Sequence, residues 1–246
     1  MKLFLLSTVA LFVSVYAIGF TGNGGGGNGG NGGTPECPFA YKLFKRPNGR
    51  YWCMKYFPGN ETFFGAEKIC RCQGGASLSG IENYKELSYV LGESEKSFES
   101  IGIKTGGVWV GAYRRKDCRV ENMATKPECT KEYQYQWTDR NTMGNDMWKT
   151  RWTEGAPHNN KVGTHQEFCV QLQVSIDPAI LNKNLTGFFD NRVCVHPDGE
   201  TQFPTEGFVC GRPPKFTGDS YYGAGGGNGV GGGVIIIGAG KPTKKP

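Results

Sequence analysis

The chain has 246 residues, 39 of them glycine, and a formal net charge of +6. Lys2, Lys241, Lys244 and Lys245 lie at the two ends, so the central part is close to neutral and shows no basic face of the kind that binds nucleic acid. Residues 37–212 hold all nine cysteines and all five tryptophans, and a segment of that length can bury a substantial core.

The N-terminal residues 1–17 predict a secretory signal peptide, because one lysine precedes an apolar run and small residues follow it. That run is shorter than the ~20 residues of a bilayer-spanning helix, and no later segment predicts a membrane span. Residues 18–36 predict a flexible glycine-rich lead-in, and residues 213–246 a glycine-rich low-complexity tail, since neither can bury enough apolar surface to fold. The expected location is therefore extracellular.

Two helices followed by short strands are predicted between these flanks. Apolar residues recur at helical spacing in residues 62–70 and 81–92, and Gly92 is expected to end the second helix. Short strands between long polar loops are predicted at residues 107–113, 133–137, 167–174 and 207–211. Early helices and later strands indicate an α+β fold.

The nine cysteines predict a disulfide framework, which is the usual state of cysteine in exported chains. A zinc site would need paired Cys-x-x-Cys spacings with histidine partners, but only Cys70 and Cys72 lie close together and the histidines stand in separate loops. Because nine is odd, one thiol is left over or pairs with another chain. Sequons at Asn60 and Asn184 predict N-glycosylation.

The order of several short motifs resembles that of the C-type lectin domain family over residues 37–212. An opening Cys-Pro with YWCMKYF is similar to the longer form of the domain, and AEKIC followed by GGASLSGIEN is similar to its helical part. The remaining motifs follow in the family's order: WVGA (109–112), YQWTD (135–139), EFCVQL (167–172), FFDNRVC (188–194) and GFVCG (207–211). The resemblance, to secreted members of invertebrate type, implies the C-type lectin-like fold, with two helices, short antiparallel strands, a long-loop region and bracing disulfides.

The same resemblance implies cysteine pairings. Cys37 is expected to bond Cys53, Cys169 to bond Cys194, and Cys210 to bond a cysteine of the first helix. Cys70 is favoured for that role over Cys72, which leaves Cys72 unpaired or available for a disulfide-linked dimer. The remaining two cysteines lie in an insertion and are expected to bond each other, as Cys118–Cys129.

In sugar-binding members of the family a calcium ion in the long-loop region bonds directly to the sugar, and the resemblance implies a degenerate form of that site here. Pro157 falls on the family's central proline, but Ala156 before it has no side-chain oxygen and His158 after it offers nitrogen, which suits a hard ion poorly. The acidic position is matched by Glu167. Asp190 and Asn191 keep oxygens, in swapped order.

Two alternatives for this loop stay open. Glu154, Asn159 and Asn160 add oxygens that a shifted register would bring towards the acidic residues, so calcium remains possible although no cofactor is assigned. Otherwise the loop is an ordinary solvated turn. The isomer of the Ala156–Pro157 peptide bond is not fixed by the sequence.

Two further groups of residues have alternative interpretations. The tryptophans 109, 137, 148 and 152 form either a sugar-stacking face or, as favoured here, part of the core. Tyr113, Arg114 and Arg115 begin the insertion and form either a protein-binding edge or a solvated surface.

The sequence favours a secreted lectin-like recognition protein that binds carbohydrate, with a role in innate defence and a degraded calcium site. The alternatives are a calcium-independent module that binds an extracellular protein and a structural protein whose glycine-rich ends do the work. An enzyme is not expected, because no nucleophile with a base and no catalytic metal spacing is visible.

Overall fold

A computed structural model of the protein describes residues 33–120, 126–181, 185–195 and 203–217. The predicted signal peptide, most of the glycine-rich lead-in and tail, and the sequon at Asn184 lie outside these residues. Within the described residues no helix has both the length and the apolar character needed to cross a membrane.

The described elements comprise four α-helices and twelve β-strands. The helices are α1 (Phe63–Cys72), α2 (Tyr84–Ile101), α3 (Asp146–Thr150) and α4 (Pro178–Leu181). The strands are β1 (Thr34–Glu36), β2 (Lys42–Lys45), β3 (Tyr51–Pro58), β4 (Ser77–Leu78), β5 (Thr105–Arg114), β6 (Tyr135–Trp137), β7 (Lys161–Val162), β8 (His165–Gln166), β9 (Cys169–Ser175), β10 (Phe189–Arg192), β11 (Thr205–Arg212) and β12 (Lys215–Thr217).

Most strands belong to one eight-stranded sheet. Its main path runs in the order β10-β9-β5-β11-β3-β2, and β4 and β6 pair with β11 and β5. The pairing of β5 with β11 is parallel, and the other pairings in this sheet are antiparallel. Strands β1 and β12 form a separate pair that joins the two ends of the domain, a few residues beyond the predicted limits 37–212. The architecture is α+β.

Both long helices begin at polar caps. The hydroxyl of Thr62 accepts a hydrogen bond from the backbone of Gly65 before α1, and Asn83 accepts two before α2. The prediction that Gly92 ends the second helix is wrong: α2 continues to Ile101 and ends at Gly102, whose φ is +74°. Ser94 and Phe98 extend the buried stripe beyond Gly92, so packing against the sheet outweighs the weak helix propensity of one glycine.

The core lies between the helices and the sheet and contains most of the tryptophans. Trp109 and Trp148 are 1% exposed, and the ring of Trp148 stacks at 4.0 Å on Trp137 and at 5.2 Å on Trp152. These rings therefore fill the core and do not form an exposed sugar-stacking face.

Four disulfides brace the domain: Cys37–Cys53, Cys70–Cys210, Cys118–Cys129 and Cys169–Cys194. They have the pairing that the family resemblance implied. Cys70 on the buried side of α1 bonds Cys210, whereas Cys72, two residues later on the helix, is an exposed free thiol.

A buried ion pair joins the first hairpin to α2. The guanidinium of Arg46 donates to both carboxylate oxygens of Glu86, at 2.7 and 3.0 Å, and to the side chain of Asn141 at 2.9 Å. Its Cζ lies 5.0 Å from the ring centroid of Trp52. Arg46 is 2% exposed and Glu86 is fully buried, so the Glu86 carboxylate depends on Arg46 for compensation, whereas Arg46 also lies 3.8 Å from Glu82 and 4.0 Å from Asp139.

Candidate functional site

The loop of residues 153–160 packs against β10 and contains the predicted site. The Ala156–Pro157 peptide bond is cis. The backbone N–H of Thr153 donates to the carbonyl of Phe189 at 2.9 Å, and that of Ala156 donates to Thr153 at 3.0 Å. The side chain of Ala156 is 4% exposed and belongs to the main hydrophobic core, so this position contributes packing and no ligand oxygen.

Asn191 holds the loop with its whole side-chain amide. Its Oδ1 accepts from the backbone N–H of His158 at 2.7 Å. Its Nδ2 donates to the carbonyl of His158 at 3.0 Å and to Oε2 of Glu167 at 2.9 Å. Because Asn191 is fully buried, these bonds fix the loop to β10 and leave the amide oxygen occupied.

Two buried carboxylates lie near one ring nitrogen of His158. Nδ1 of His158 is 3.9 Å from Oε2 of Glu167 and 3.9 Å from Oδ1 of Asp190. Burial raises the pKa of both carboxyl groups. Oδ2 of Asp190 accepts from Gln173 at 3.1 Å and lies 3.2 Å from Nε of Arg192, whereas its Oδ1 is buried and forms no hydrogen bond within the described residues.

Arg114 supports the loop from the core side. It is completely buried, donates to Asn159 Oδ1 at 2.6 Å, to the hydroxyl of Tyr135 and to the carbonyl of His158. The hydroxyl of Tyr135 in turn donates to the carbonyl of Glu167 at 2.9 Å. Both sequence interpretations of Arg114, a protein-binding edge and a solvated surface, are therefore wrong. The available signal was alternation along β5, which places Arg114 on the same face as the buried Val110 and Ala112.

The remaining candidates lie at the rim of the loop. Glu154 is exposed and forms no hydrogen bond or ion pair with another described residue. Asn160 is also exposed and contributes its carbonyl, which accepts from the backbone of Glu167 at 3.3 Å. The structure thus brings together Glu167, Asp190, Asn191 and His158, and leaves Glu154 apart.

In this arrangement few side-chain oxygens of the loop are free to bind calcium. The ion takes six to eight oxygen ligands, but the amide oxygen of Asn191 is engaged by His158, and position 156 offers a buried methyl group. Nδ1 of His158, a nitrogen and not an oxygen, lies 3.9 Å from each of the two carboxylates. Across the described ranges no group of three or more histidine, cysteine or acidic side chains is arranged to hold a metal ion.

A family model described as C-type lectin domain-containing protein 141/158 matches residues 44–213. The chain belongs to the C-type lectin domain family. Members of this family act in carbohydrate recognition and are typically not enzymes. A search of curated proteins finds no match.

Solved structures similar to this chain include three C-type lectin-like domains. The cow CD23 carbohydrate-recognition domain, solved in the presence of an oligosaccharide, is 17% identical with a TM-score of 0.44, over 73% of this chain and 98% of that chain. Human lithostathine is 17% identical with a TM-score of 0.44, over 72% and 91%. The carbohydrate-recognition domain of the mouse scavenger receptor C-type lectin is 18% identical with a TM-score of 0.42, over 73% and 99%.

Proposed function

We propose that this protein is an extracellular recognition protein of the C-type lectin family that binds carbohydrate without calcium. Family membership supports the ligand class. The predicted signal peptide, the four disulfides and the exposed position of Asn60 in a sequon support export. The domain division at residues 37 and 212 and a role in innate defence belong to the same proposal.

The observation that carries the calcium-independent part is the hydrogen bonding of Asn191. An amide that bonds His158 twice and Glu167 once holds the loop in place with protein groups alone. Arg114 adds a buried cation behind the loop. A loop fixed in this way is already ordered, so a ligand would not need a metal ion to organise it.

The test is a calorimetric calcium titration of the full chain, with Glu167→Ala as the comparison. We expect no heat of binding up to millimolar calcium in either protein, and an unfolding temperature that is the same in calcium and in EDTA. A saturable calcium signal that disappears in Glu167→Ala would contradict the proposal and would mean that the loop rearranges around the ion.

A second candidate is a module that binds an extracellular protein, and the disulfide-closed insertion favours it. Cys118–Cys129 closes this insertion; Val120 within it is 37% exposed, and Tyr133 just after it is 50% exposed. Apolar side chains held on a rigid surface are typical of protein-binding sites. Replacing Tyr133 by serine would weaken such an interaction without changing binding to a glycan.

A further inference from the structure

A pocket of about 490 Å³ lies beside the long-loop region, and the carboxylates of Glu167 and Asp190 do not line it. Its aromatic side is formed by Phe64 of α1, Tyr113 of β5 and Phe168, and the β7–β8 hairpin forms the polar side. We call it the aromatic pocket. Gln166 and Phe168 line it, whereas Glu167 between them points its carboxylate at Asn191. The volume is within the ~300–1,000 Å³ usual for ligand sites.

The aromatic side is partly open to solvent and held in place from behind. Phe64 is 57% exposed, and its ring centroid lies 6.2 Å from that of Tyr113, which lies 6.0 Å from that of Phe168. Cζ of Arg119 is 4.4 Å from the Tyr113 ring centroid, and its Nε donates to the carbonyl of Arg114 at 2.8 Å. Fixed rings of this kind offer a flat apolar surface, against which the apolar face of a sugar ring can pack.

The polar side carries side chains that the protein itself does not use. Those of Lys161, Thr164, His165 and Gln166 form no hydrogen bond or ion pair with any other residue that the structure describes. This contrasts with the neighbouring loop, where the side-chain oxygen and nitrogen of Asn191 both form internal hydrogen bonds. Hydroxyl, amide and ammonium groups around one cavity are therefore available to a ligand.

The charge around the aromatic pocket is positive. Lys161 lines it, the guanidinium of Arg119 lies over the rings of Tyr113 and Phe168, and no acidic side chain lines it among the described residues. A ligand with an anionic group gains from this charge, while its ring and hydroxyl groups match the aromatic and neutral polar surfaces.

We infer that the aromatic pocket binds an acidic saccharide, one that carries a carboxylate or a sulfate, with its ring against Tyr113 and Phe64 and its anionic group at Lys161. This deepens the proposed function and rests on it for the ligand class. It assigns the binding to a surface that does not include Glu167, Asp190 or Asn191.

The test measures binding of the full chain in EDTA to sialyllactose, to its uncharged counterpart lactose, and to a chondroitin sulfate oligosaccharide. Sialyllactose carries a carboxylate, and the chondroitin sulfate probe adds sulfate. We expect at least one acidic probe to bind at least about tenfold more tightly than lactose, since a hydrogen bond to a charged group has that effect. Raising the ionic strength should weaken the acidic probe's binding.

Variants then locate the site. Lys161→Ala should weaken binding of the acidic probe about tenfold and leave lactose unaffected. Lys68→Ala, which removes an exposed lysine of α1 outside the pocket, should change nothing. Phe64→Ser should weaken binding of the acidic probe severalfold, whereas Phe39→Ser, at a 98% exposed ring elsewhere, is the matched control.

The outcomes separate this inference from the proposed function. Calcium-independent glycan binding that persists in Lys161→Ala and Phe64→Ser overturns the inference alone. The titrations are repeated with calcium in place of EDTA, and acidic-glycan binding that appears only in calcium and is lost in these variants overturns only the proposed function. Failure of every saccharide to bind overturns both. An oligoglutamate peptide is included as an acidic probe without a sugar ring, and binding of this peptide at Lys161 with no binding of any saccharide also overturns both.

Discussion

Glu167 and Asp190 are buried carboxyl groups that both lie 3.9 Å from Nδ1 of His158, and Arg192 pairs with Asp190. Burial nevertheless dominates and raises the pKa of both groups. A buried carboxylate whose pKa is raised weakens the folded state when it ionises, so the pH dependence of stability can report on these two groups.

The first prediction at the residue scale concerns Glu167→Gln. The pKa of Glu167 is raised in the folded state. Between the ordinary glutamate pKa and this raised pKa, the folded protein therefore binds more protons than the unfolded chain. The folded protein loses stability as the pH rises through that interval. The glutamine keeps an oxygen that can accept from Asn191. We expect the free energy of unfolding of the variant to exceed that of the parent by about 1 kcal/mol at pH 7. The difference should vanish near pH 4, and urea denaturation measures it at both pH values.

The control is Glu154→Gln, which makes the same change at an exposed position of the same loop and should not alter the pH profile. If Glu167→Gln is instead strongly destabilising at pH 7, the ionised carboxylate is needed by the folded loop, and our account of the site is wrong.

The sequence could predict which residues meet in the loop but not how they interact. The family motifs placed Glu167, Asp190 and Asn191 near Pro157, and the structure brings these residues together. Arg114 was missed because an arginine at the start of an insertion is usually solvated. Its burial depends on Tyr135 and on the carbonyl of His158, which lie 21 and 44 residues away in the sequence.

At the scale of elements, the first hairpin and α2 are joined by the pair Arg46–Glu86. The segment just before α2 adds to it, because the backbone N–H of Glu82, which precedes the N-cap Asn83, also donates to Glu86 at 2.8 Å. Local sequence pattern gives no sign of this link, since its partners are 40 residues apart. A charged residue at the end of a strand and another in the first turn of a helix would ordinarily be assigned to the surface.

The second prediction is that Arg46→Met destabilises the fold by about 3–5 kcal/mol, because it leaves the Glu86 carboxylate buried without its cation. The double variant Arg46→Met with Glu86→Gln should lose less than the sum of the two single variants. Urea denaturation of all four proteins gives the coupling. Lys96→Met removes the exposed pair with Glu93 and should change stability by less than about 1 kcal/mol. If the losses of Arg46→Met and Glu86→Gln simply add in the double variant, the two side chains are not coupled and this prediction is wrong.

At the scale of the molecule, the spacing of cysteines and motifs predicted more of the fold than the periodic patterns of helices and strands did. The pattern gave both long helices but ended α2 nine residues early, at Gly92 rather than at Ile101. Short strands such as β4, β7 and β8 have two residues each and leave no periodic signal. Their positions follow from long-range pairing, as between Ser77 of β4 and Gly211 of β11.

The third prediction concerns Cys72, the free thiol at the end of α1. Alkylation of the native protein should modify one cysteine per chain, or else a non-reducing gel should show a disulfide-linked dimer. Cys72→Ser should abolish whichever of these is observed, because the other eight cysteines are in disulfides. A dimer that survives this substitution, or two modified cysteines per chain, would contradict the pairing.

The pairing of β1 with β12 places Thr34 opposite Thr217, so the chain enters and leaves the domain at neighbouring points. A mechanical pull on these two points would first separate that three-residue ladder. The load would then pass through the Cys37–Cys53 and Cys70–Cys210 disulfides. The covalent bond between Cys70 and Cys210 bypasses residues 71–209. The long loop and the aromatic side chains Tyr113 and Phe168 lie inside the bypassed segment. Tension along the chain would therefore leave the greater part of the recognition surface unstretched.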